Sequence, residues 1–133
     1  MSRLTWLEYG IELAKTASLR SEDPYVQVGC CILRPDNSIA SLGYNGAPPG
    51  VNIDWSNRDD RRKRVIHAET NALRFIKPGE GDRMFVTLMP CSDCLKNAAS
   101  YGINKIFYNK VYNFDTSAKD LAQEFRITLQ QIT

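Results

Sequence analysis

The chain has 133 residues, 43% of them hydrophobic, which suits one domain with a single core and is short for two domains. Its 17 basic and 15 acidic side chains give a net charge of +2, too small a bias to indicate a nucleic-acid-binding surface by itself. No apolar run approaches the roughly 20 residues of a membrane span, and we expect no secretory signal sequence. The four cysteines fit a reducing compartment better than a disulfide framework. We therefore expect an intracellular, cytoplasmic protein that binds neither nucleic acid nor membranes.

The first third of the chain predicts one helix followed by a pair of strands. Apolar residues at helical spacing predict a helix over residues 5–19, with Ser2 or Thr5 as its N-cap. The β-branched and apolar run at residues 26–33 predicts a central strand. Turn residues follow it, and they predict a return as a neighbouring strand over residues 39–44.

The stretch from residue 43 to residue 65 is predicted to be irregular and to carry function. A simple hairpin turn at Asn45-Gly46 is the structural alternative, but two prolines follow that dipeptide instead of a strand. A loop of this length in a compact domain is more often functional than idle. The charged run at residues 58–64 within it is interpreted as a solvated face, with a contact to phosphate or to another subunit as the alternative.

The second half of the chain alternates predicted helices and strands. Predicted helices cover residues 67–76, 92–101 and 116–129, and predicted strands cover residues 84–88 and 104–108. In the first of these helices, the predicted buried positions are Ala68, Ala72, Leu73 and Ile76. Gly102 suits the position after the end of the second helix. With neither an internal repeat nor a linker, this alternation predicts one domain over residues 1–133, with α/β layers around one sheet.

His67, Cys91 and Cys94 are the candidate metal ligands. One imidazole and two thiolates suit tetrahedral zinc and leave the fourth position open, as in catalytic zinc sites. Predicted helix starts at both segments would favour anions and lower the pKa of the thiols. Cys30 and Cys31 point to opposite faces of a predicted strand and are interpreted as buried packing residues. The alternatives are a hydrogen-bonded core histidine, a redox pair, and a zinc-stabilised binding module that would need a fourth protein ligand.

Glu69 follows the histidine by two residues and is the candidate proton carrier. The pattern H-x-E followed by P-C-x-x-C is the signature of zinc-dependent nucleobase deaminases. Hydrolytic deamination of cytosine needs one group to take a proton from water and to deliver protons to N3 and to the leaving amine. A carboxylate beside the metal can do this, so we predict that role for Glu69. A charge at a helix start, or a partner of a ligand, is the alternative.

Several further segments resemble the deoxycytidylate deaminase family. The matching residues span most of the chain and are Arg20-Ser21-Glu22-Asp23-Pro24, Val28-Gly29, Gly43-Tyr44-Asn45-Gly46, Pro48, Gly50, His67-Ala68-Glu69, Asn71-Ala72, Pro90-Cys91, Cys94, Gly102-Ile103 and Tyr112. The resemblance implies a three-layer α/β/α sandwich around one central mixed five-stranded sheet. It also implies conversion of dCMP to dUMP, assembly into a homohexamer, activation by dCTP and inhibition by dTTP.

The resemblance also suggests which residues hold the substrate. Asn45 resembles the asparagine that contacts the deoxyribose, and the backbone at Ala68 would face the pyrimidine carbonyl group. Arg20, Ser21 and Tyr112 are the candidates for holding the phosphate and the sugar. The chain departs from the family pattern at Thr70 and Ala47. Its long loop contains neither Cys nor His, so we expect one zinc ion per subunit and not the second, structural zinc of some relatives.

The predicted regulatory site lies in the same long loop, at Gly43, Asn45, Gly46 and Ala47. Backbone amides of such a loop can approach phosphate groups closely, and Mg²⁺ could accompany a regulatory triphosphate. The competing functions are deamination of dCTP, of a free base or of tRNA adenosine. An enzyme acting on RNA should carry a basic surface, whereas residues 115–133 pair acidic with basic side chains and form no basic tail.

Overall fold

The computed structural model describes residues 2–112 and 115–133 and contains one five-stranded mixed sheet. The helices are α1 (Trp6–Ser18), α2 (Arg58–Arg64), α3 (Ala68–Leu73), α4 (Ser92–Ser100) and α5 (Ala118–Glu124). The strands are β1 (Gly29–Leu33), β2 (Ile39–Tyr44), β3 (Arg83–Leu88), β4 (Lys105–Lys110) and β5 (Thr128–Gln131). Their order across the sheet is β2-β1-β3-β4-β5, in which β1 is antiparallel to both neighbours and β3, β4 and β5 are parallel.

Two apolar cores, one on each face of the sheet, make the fold a three-layer α/β/α sandwich, as predicted. On one face Cys31, Leu33 and Phe85 pack against Ile11 and Ala14 of α1. The opposite face carries α3, α4 and α5, with a core that includes Cys30, Ile32, Ala72, Leu95, Ala98 and Ala122. The prediction that the two adjacent cysteines are buried on opposite faces is therefore confirmed.

Helix α3 lies unusually close to β2, and Gly43 makes that contact possible. A Cβ atom at Gly43 would lie 2.5 Å from the carbonyl oxygen of Ala68 and 2.5 Å from the amide nitrogen of Ala72. Ser41, two residues earlier on β2, donates its hydroxyl hydrogen to the carbonyl oxygen of Ala72 at 2.6 Å. The strand therefore holds α3 by direct backbone packing and by a buried hydrogen bond.

The N-terminal predictions hold closely, although two element lengths differ. Thr5 caps α1 as predicted, since its hydroxyl accepts from the amide of Glu8 at 3.1 Å and the Glu8 carboxylate accepts from the amide of Thr5 at 2.9 Å. Strand β1 begins at Gly29 and not at residue 26, because the amide of Val28 donates to the side chain of Asn45 at 2.8 Å. Helix α3 ends at Leu73, short of the predicted residue 76.

The prediction that residues 58–64 are irregular is wrong, because they form α2. The side chain of Asn57 caps this helix by accepting from the amide of Asp60 at 3.1 Å. Acidic residues occupy its first turn and basic residues its last, which is the arrangement that the helix dipole favours. The long stretch between β2 and α3 is thus interrupted by about two turns of capped helix.

The prediction of a C-terminal helix over residues 116–129 is also wrong for the second half of that range. Helix α5 ends at Glu124, Arg126 has a φ of 58°, and the chain turns into β5 at the edge of the sheet. That strand completes the five that the family resemblance implied. No helix in the described ranges has both the length and the apolar composition required to cross a membrane.

Candidate active site

The candidate metal ligands lie at the N-termini of α3 and α4. His67 and Cys91 are the N-cap residues of these helices, and neither side chain makes the capping hydrogen bond that such a residue usually makes. Cys94 lies in the first turn of α4 and is buried. Strand β3 and the buried residues Met89 and Pro90 lead directly into Cys91, so the sheet fixes where α4 begins. The three side chains are therefore directed to one another instead of to the helix ends.

The spacing of the three ligand atoms fits tetrahedral zinc. His67 Nδ1 lies 3.2 Å from Cys94 Sγ and 3.6 Å from Cys91 Sγ, and the two sulfur atoms are 3.5 Å apart. Zinc bond lengths of about 2.0 Å to nitrogen and 2.3 Å to sulfur give tetrahedral edges of roughly 3.6 to 3.8 Å. Within residues 2–112 and 115–133, this is the single group of three or more His, Cys, Asp or Glu residues suited to a metal.

The electrostatics of this group suit a bound cation. Hydrogen bonding from Cys94, and then from His67, lowers the pKa of Cys91 to about 4. The pKa of Cys94 is raised, mainly because it shares a hydrogen with Cys91 and is buried. The pKa of His67 is raised, chiefly by its hydrogen bond with Cys91. Without a metal the thiols compete for protons, so a divalent cation would replace those protons and hold both sulfurs as thiolates.

Glu69 lies beside the ligands and is only 4% exposed. Burial raises the pKa of its carboxyl group, and the nearby His67 opposes that effect. A raised pKa makes the carboxyl group a better proton acceptor than an exposed glutamate, and a carboxyl group that has gained a proton can donate it again. This is the behaviour expected of a proton carrier.

One cavity of about 300 Å³ is lined by half of the predicted site residues. Its lining includes Asn45, His67, Ala68, Glu69, Cys91 and Tyr112, all of which the sequence suggested. The apolar part of the wall comes from Val26, Val28, Val65, Leu88 and Met89, and Asp23 adds a carboxylate. Asp23 and Val28 belong to segments that resemble the family, but no role at the site was predicted for any of these wall residues, because only the fold brings their segments together.

Asn45 has a structural task in addition to its predicted contact with the sugar. Its side-chain oxygen accepts from the amide of Val28 at 2.8 Å, and its side-chain nitrogen donates to the carbonyl oxygen of Val26 at 2.8 Å. A longer contact of 3.4 Å joins the same nitrogen to the carboxylate of Asp23. Asn45 therefore holds the loop that forms one wall of the cavity, and its role towards the deoxyribose stays a prediction.

Arg20 and Ser21, predicted to hold the phosphate and the sugar, do not line this cavity. They line a second cavity of about 640 Å³, together with the predicted regulatory residues Gly43, Gly46 and Ala47. Glu22, Tyr44, Arg74 and Phe75 also line it. Ser21 donates its hydroxyl hydrogen to the carbonyl oxygen of Asn45 at 2.8 Å, so the two cavities meet at Asn45.

Two arginines of α2, Arg61 and Arg62, line the first cavity and were not among the predicted site residues. The sequence interpretation assigned their charged run to a solvated face and kept a phosphate contact as the alternative. A signal was present, because Asn57 followed by acidic and then basic residues is the pattern of a capped helix. That pattern predicts the helix, and the fold then places Arg61 and Arg62 in the lining of the cavity.

The layered fold and a His-Cys-Cys set beside a buried glutamate define a zinc-dependent deaminase, a hydrolase that removes an amino group from a nucleobase. The family model described as the cytidine and deoxycytidylate deaminase zinc-binding region matches residues 4–110. The chain belongs to this family.

Related proteins match the chain over nearly its whole length. Deoxycytidylate deaminase of Mus musculus is 33% identical over 144 residues, which cover 98% of this chain and 81% of that protein. ComE operon protein 2 of Bacillus subtilis is 32% identical over 141 residues, covering 99% of this chain and 74% of that protein. The crystal structure of dCMP deaminase from the cyanophage S-TIM5, in complex with dCMP and dUMP, superposes with a TM-score of 0.81 at 25% identity and covers 99% of this chain and all of that one.

Proposed function

We propose that this protein catalyses the zinc-dependent hydrolytic deamination of dCMP to dUMP and ammonia. The observation that carries the proposal is the cluster of His67, Cys91 and Cys94 at a cavity that Glu69 and two arginines also line. The similarity to deoxycytidylate deaminases supports the choice of dCMP. The reaction would supply the pyrimidine deoxynucleotide needed to make dTMP.

Glu69 is the residue to which we assign the proton transfers. As the oxygen of water bonds to C4 of the pyrimidine, Glu69 takes the proton that water loses and delivers it to N3. Glu69 then takes the proton of the new C4 hydroxyl group and delivers it to the amino group. The C4–N bond breaks, ammonia leaves, and a C4 carbonyl group remains. Because Glu69 is buried, its protons are not exchanged freely with solvent during these transfers.

His67, Cys91 and Cys94 are the residues that would hold zinc. A zinc ion supplies Lewis-acid chemistry, which lowers the pKa of water from about 15.7 to about 7. Cys91 and Cys94 lie at the start of α4, where the backbone amide of Cys94 helps to lower the pKa of Cys91 and the helix dipole favours negative charge. One zinc ion per subunit is expected from this single set of ligands.

The lining of the cavity supports the following proposed substrate contacts. The backbone at Ala68 is placed beside Glu69, where it can hydrogen-bond to the pyrimidine ring, and Asn45 and Tyr112 remain our candidates for the sugar. The wall formed by Val26 and Val28 gives the ring an apolar surface to pack on. Arg20 and Ser21 line the second cavity, so they are not our candidates for the substrate phosphate.

Ammonia release from a panel of substrates tests the proposal. The panel consists of dCMP, dCTP, deoxycytidine, cytosine and a tRNA anticodon stem, each assayed with the zinc-loaded protein. We expect kcat/KM to be highest for dCMP. A higher kcat/KM for dCTP, for the free base or for the tRNA stem would show that dCMP is not the preferred substrate.

We further propose that dCTP activates and dTTP inhibits the enzyme through the second cavity. Arg20 and Arg74 supply positive charge for phosphate groups there, and Tyr44 and Phe75 supply aromatic rings on which a base can stack. The carboxylate of Glu22 could share Mg²⁺ with a triphosphate. The hydrogen bond from Ser21 to Asn45 joins this cavity to the loop that walls the first one.

Saturation curves for dCMP test this regulation. They are measured with dCMP alone, with dCTP and Mg²⁺, and with dTTP. We expect dCTP to lower the half-saturating concentration and dTTP to raise it, with a change in the shape of the curve. Superimposable hyperbolic curves would contradict the proposal, and purely competitive inhibition by dTTP would place that nucleotide in the first cavity.

We also propose that the protein assembles into a homohexamer in the cytoplasm. Leu19, Leu42 and Phe75 are large apolar side chains that remain exposed around the second cavity, and a subunit contact would remove them from water. Light scattering of the purified protein should give six times the mass of one chain. The mass of a monomer would contradict this assembly.

A further inference from the structure

The arginines of α2 are held next to the candidate metal ligands by a short backbone bridge. The amide of Gly46 donates to the carbonyl oxygen of Ile66 at 3.1 Å, and the amide of Ile66 donates to the carbonyl oxygen of Gly46 at 2.8 Å. Ile66 directly precedes His67, and α2 ends two residues earlier, at Arg64. The bridge therefore fixes the end of α2 relative to both β2 and the start of α3.

Arg61 is held in place by two contacts that leave most of its donors available. Its Nη1 donates to the carbonyl oxygen of Trp55 at 2.7 Å, and its Cζ lies 4.3 Å from the centre of the Tyr25 ring. A guanidinium group has five N–H donors, so a ligand in the cavity can still accept several hydrogen bonds from it. These contacts orient the guanidinium group before a ligand binds.

Arg62 lines the cavity and has no ion pair or hydrogen bond within residues 2–112 and 115–133. Arg64, on the same helix, pairs with Asp60. Besides Glu69, the described lining of the cavity contains one more carboxylate, that of Asp23. It accepts hydrogen bonds from the amides of Tyr25 and Val26 at 2.8 and 3.2 Å and forms no ion pair with Arg62. Because Arg62 lines the cavity and has no such partner, its guanidinium group is suited to bind an anionic group of a ligand.

We propose that Arg61 and Arg62 bind the 5′-phosphate of the substrate and thereby select a nucleoside monophosphate over the unphosphorylated nucleoside. This inference rests on the proposed deamination of dCMP. A phosphate dianion carries about two negative charges, which two guanidinium groups can match with paired, charge-assisted hydrogen bonds. The pyrimidine would lie near Glu69 and His67 and the phosphate near α2, so a single cavity would hold both ends of the nucleotide.

The test compares Arg62→Gln with the parent enzyme and with Lys63→Gln. Lys63 is exposed on the same helix and does not line the cavity, so it controls for a general loss of positive charge. For Arg62→Gln we expect KM for dCMP to rise about ten- to a hundredfold, the range that follows from losing a hydrogen bond to a charged group. We expect kcat to change much less, because the phosphate does not react. Lys63→Gln should keep the parent KM.

Two further measurements separate phosphate binding from a structural role. Arg62→Lys should recover part of the lost affinity, since it keeps the charge but not the paired hydrogen bonds. The ratio of kcat/KM for dCMP to that for deoxycytidine should fall in Arg62→Gln, whereas a damaged fold would lower both values together. An unchanged KM for dCMP in Arg62→Gln would overturn the inference. If the parent enzyme fails to deaminate dCMP at all, the proposed function is wrong and this inference falls with it.

Discussion

The two cavities that meet at Asn45 are built in different ways. In the first, the reactive side chains come from the N-termini of two helices that pack on the sheet, and Glu69 and Cys94 are almost completely buried. The second is formed mainly by side chains at the surface, among which Arg74 and Phe75 are exposed. Helix starts that pack on the sheet thus hold the groups that react, while exposed side chains line the site where we expect regulation. A catalytic set needs fixed geometry, and a regulatory site needs two arrangements of similar energy.

The largest effect is expected from removing a ligand of the first cavity. Cys91→Ala leaves two of the three ligands, so the purified protein should contain far less than one zinc per chain and should release no measurable ammonia from dCMP. Metal analysis and an ammonia assay check both results. Cys31→Ala is the matched control, because Cys31 is buried on the opposite face of the sheet and should not alter the zinc content.

Gly43 connects the two cavities, because it lines the second cavity and also packs against α3, which carries Glu69 of the first cavity. Gly43→Ala would place a Cβ atom 2.5 Å from backbone atoms of Ala68 and Ala72, so α3 would have to move. We expect a destabilisation of about 1–3 kcal/mol, the usual range for overpacking, and a fall in kcat. Denaturant unfolding and steady-state kinetics check this. Gly46→Ala is the control, since the nearest atom to its added Cβ lies 3.8 Å away.

Arg74 allows the second cavity to be changed without touching the first. Arg74→Ala should weaken the effects of dCTP and dTTP on the dCMP saturation curve by roughly tenfold in effector concentration, through loss of one charge-assisted contact. With no effector present, the curve should match that of the parent. A large fall in kcat would show that the two cavities are not separable in the way their construction suggests. Lys77→Ala serves as the control, because Lys77 lies outside the cavity.

The smallest effect is expected at Asp115, which supports the start of α4. Its carboxylate accepts from the amide of Ser92 at 2.7 Å and from the hydroxyl of Ser92 at 2.6 Å. These hydrogen bonds lower the pKa of Asp115 to about 2. A folded-state pKa below the unfolded value stabilises the fold above about pH 4, and that contribution is lost as the pH falls towards 2.

Asp115→Asn should therefore unfold at a lower temperature than the parent at pH 7, by a few degrees. The gap between the two proteins should narrow at pH 3, because the Asp115 carboxyl group of the unfolded chain, with an ordinary pKa of about 4, is then mostly protonated and must lose its proton on folding. Thermal unfolding of the zinc-free proteins at pH 7, 5 and 3 measures this. A gap of constant size would mean that the charge of Asp115 is not what stabilises the helix start.

The reactive part of the first cavity could be predicted from the sequence because its residues are close together along the chain. His67 and Glu69 lie on one helix start, and Cys91 and Cys94 on another, so the local spacing alone brings each pair together. The substrate wall could not be predicted in this way. Val28, Val65 and Leu88 belong to three distant segments that only the sheet and the Gly46–Ile66 bridge bring together.

The two wrong element predictions have related physical causes. The run at residues 58–64 has no apolar face, so hydrophobic periodicity could not reveal α2, whose cap and charge order alone mark it as a helix. At the C-terminus, Leu121, Ala122 and Leu129 fit one helical pattern, but Leu129 pairs with β4 in a parallel strand. Sheet pairing there overrides the local preference. Residues 113–114 lie outside the described ranges.

Steady-state turnover of dCMP by Glu69→Gln tests the central claim most directly. The amide has nearly the shape of the carboxyl group but cannot carry protons, so zinc should remain at one ion per chain and dCMP should still bind. We expect kcat to fall by more than about a hundredfold, the lower end of what general acid–base catalysis contributes. A zinc-loaded Glu69→Gln protein that keeps nearly the parent kcat would contradict the assignment of the proton transfers to Glu69.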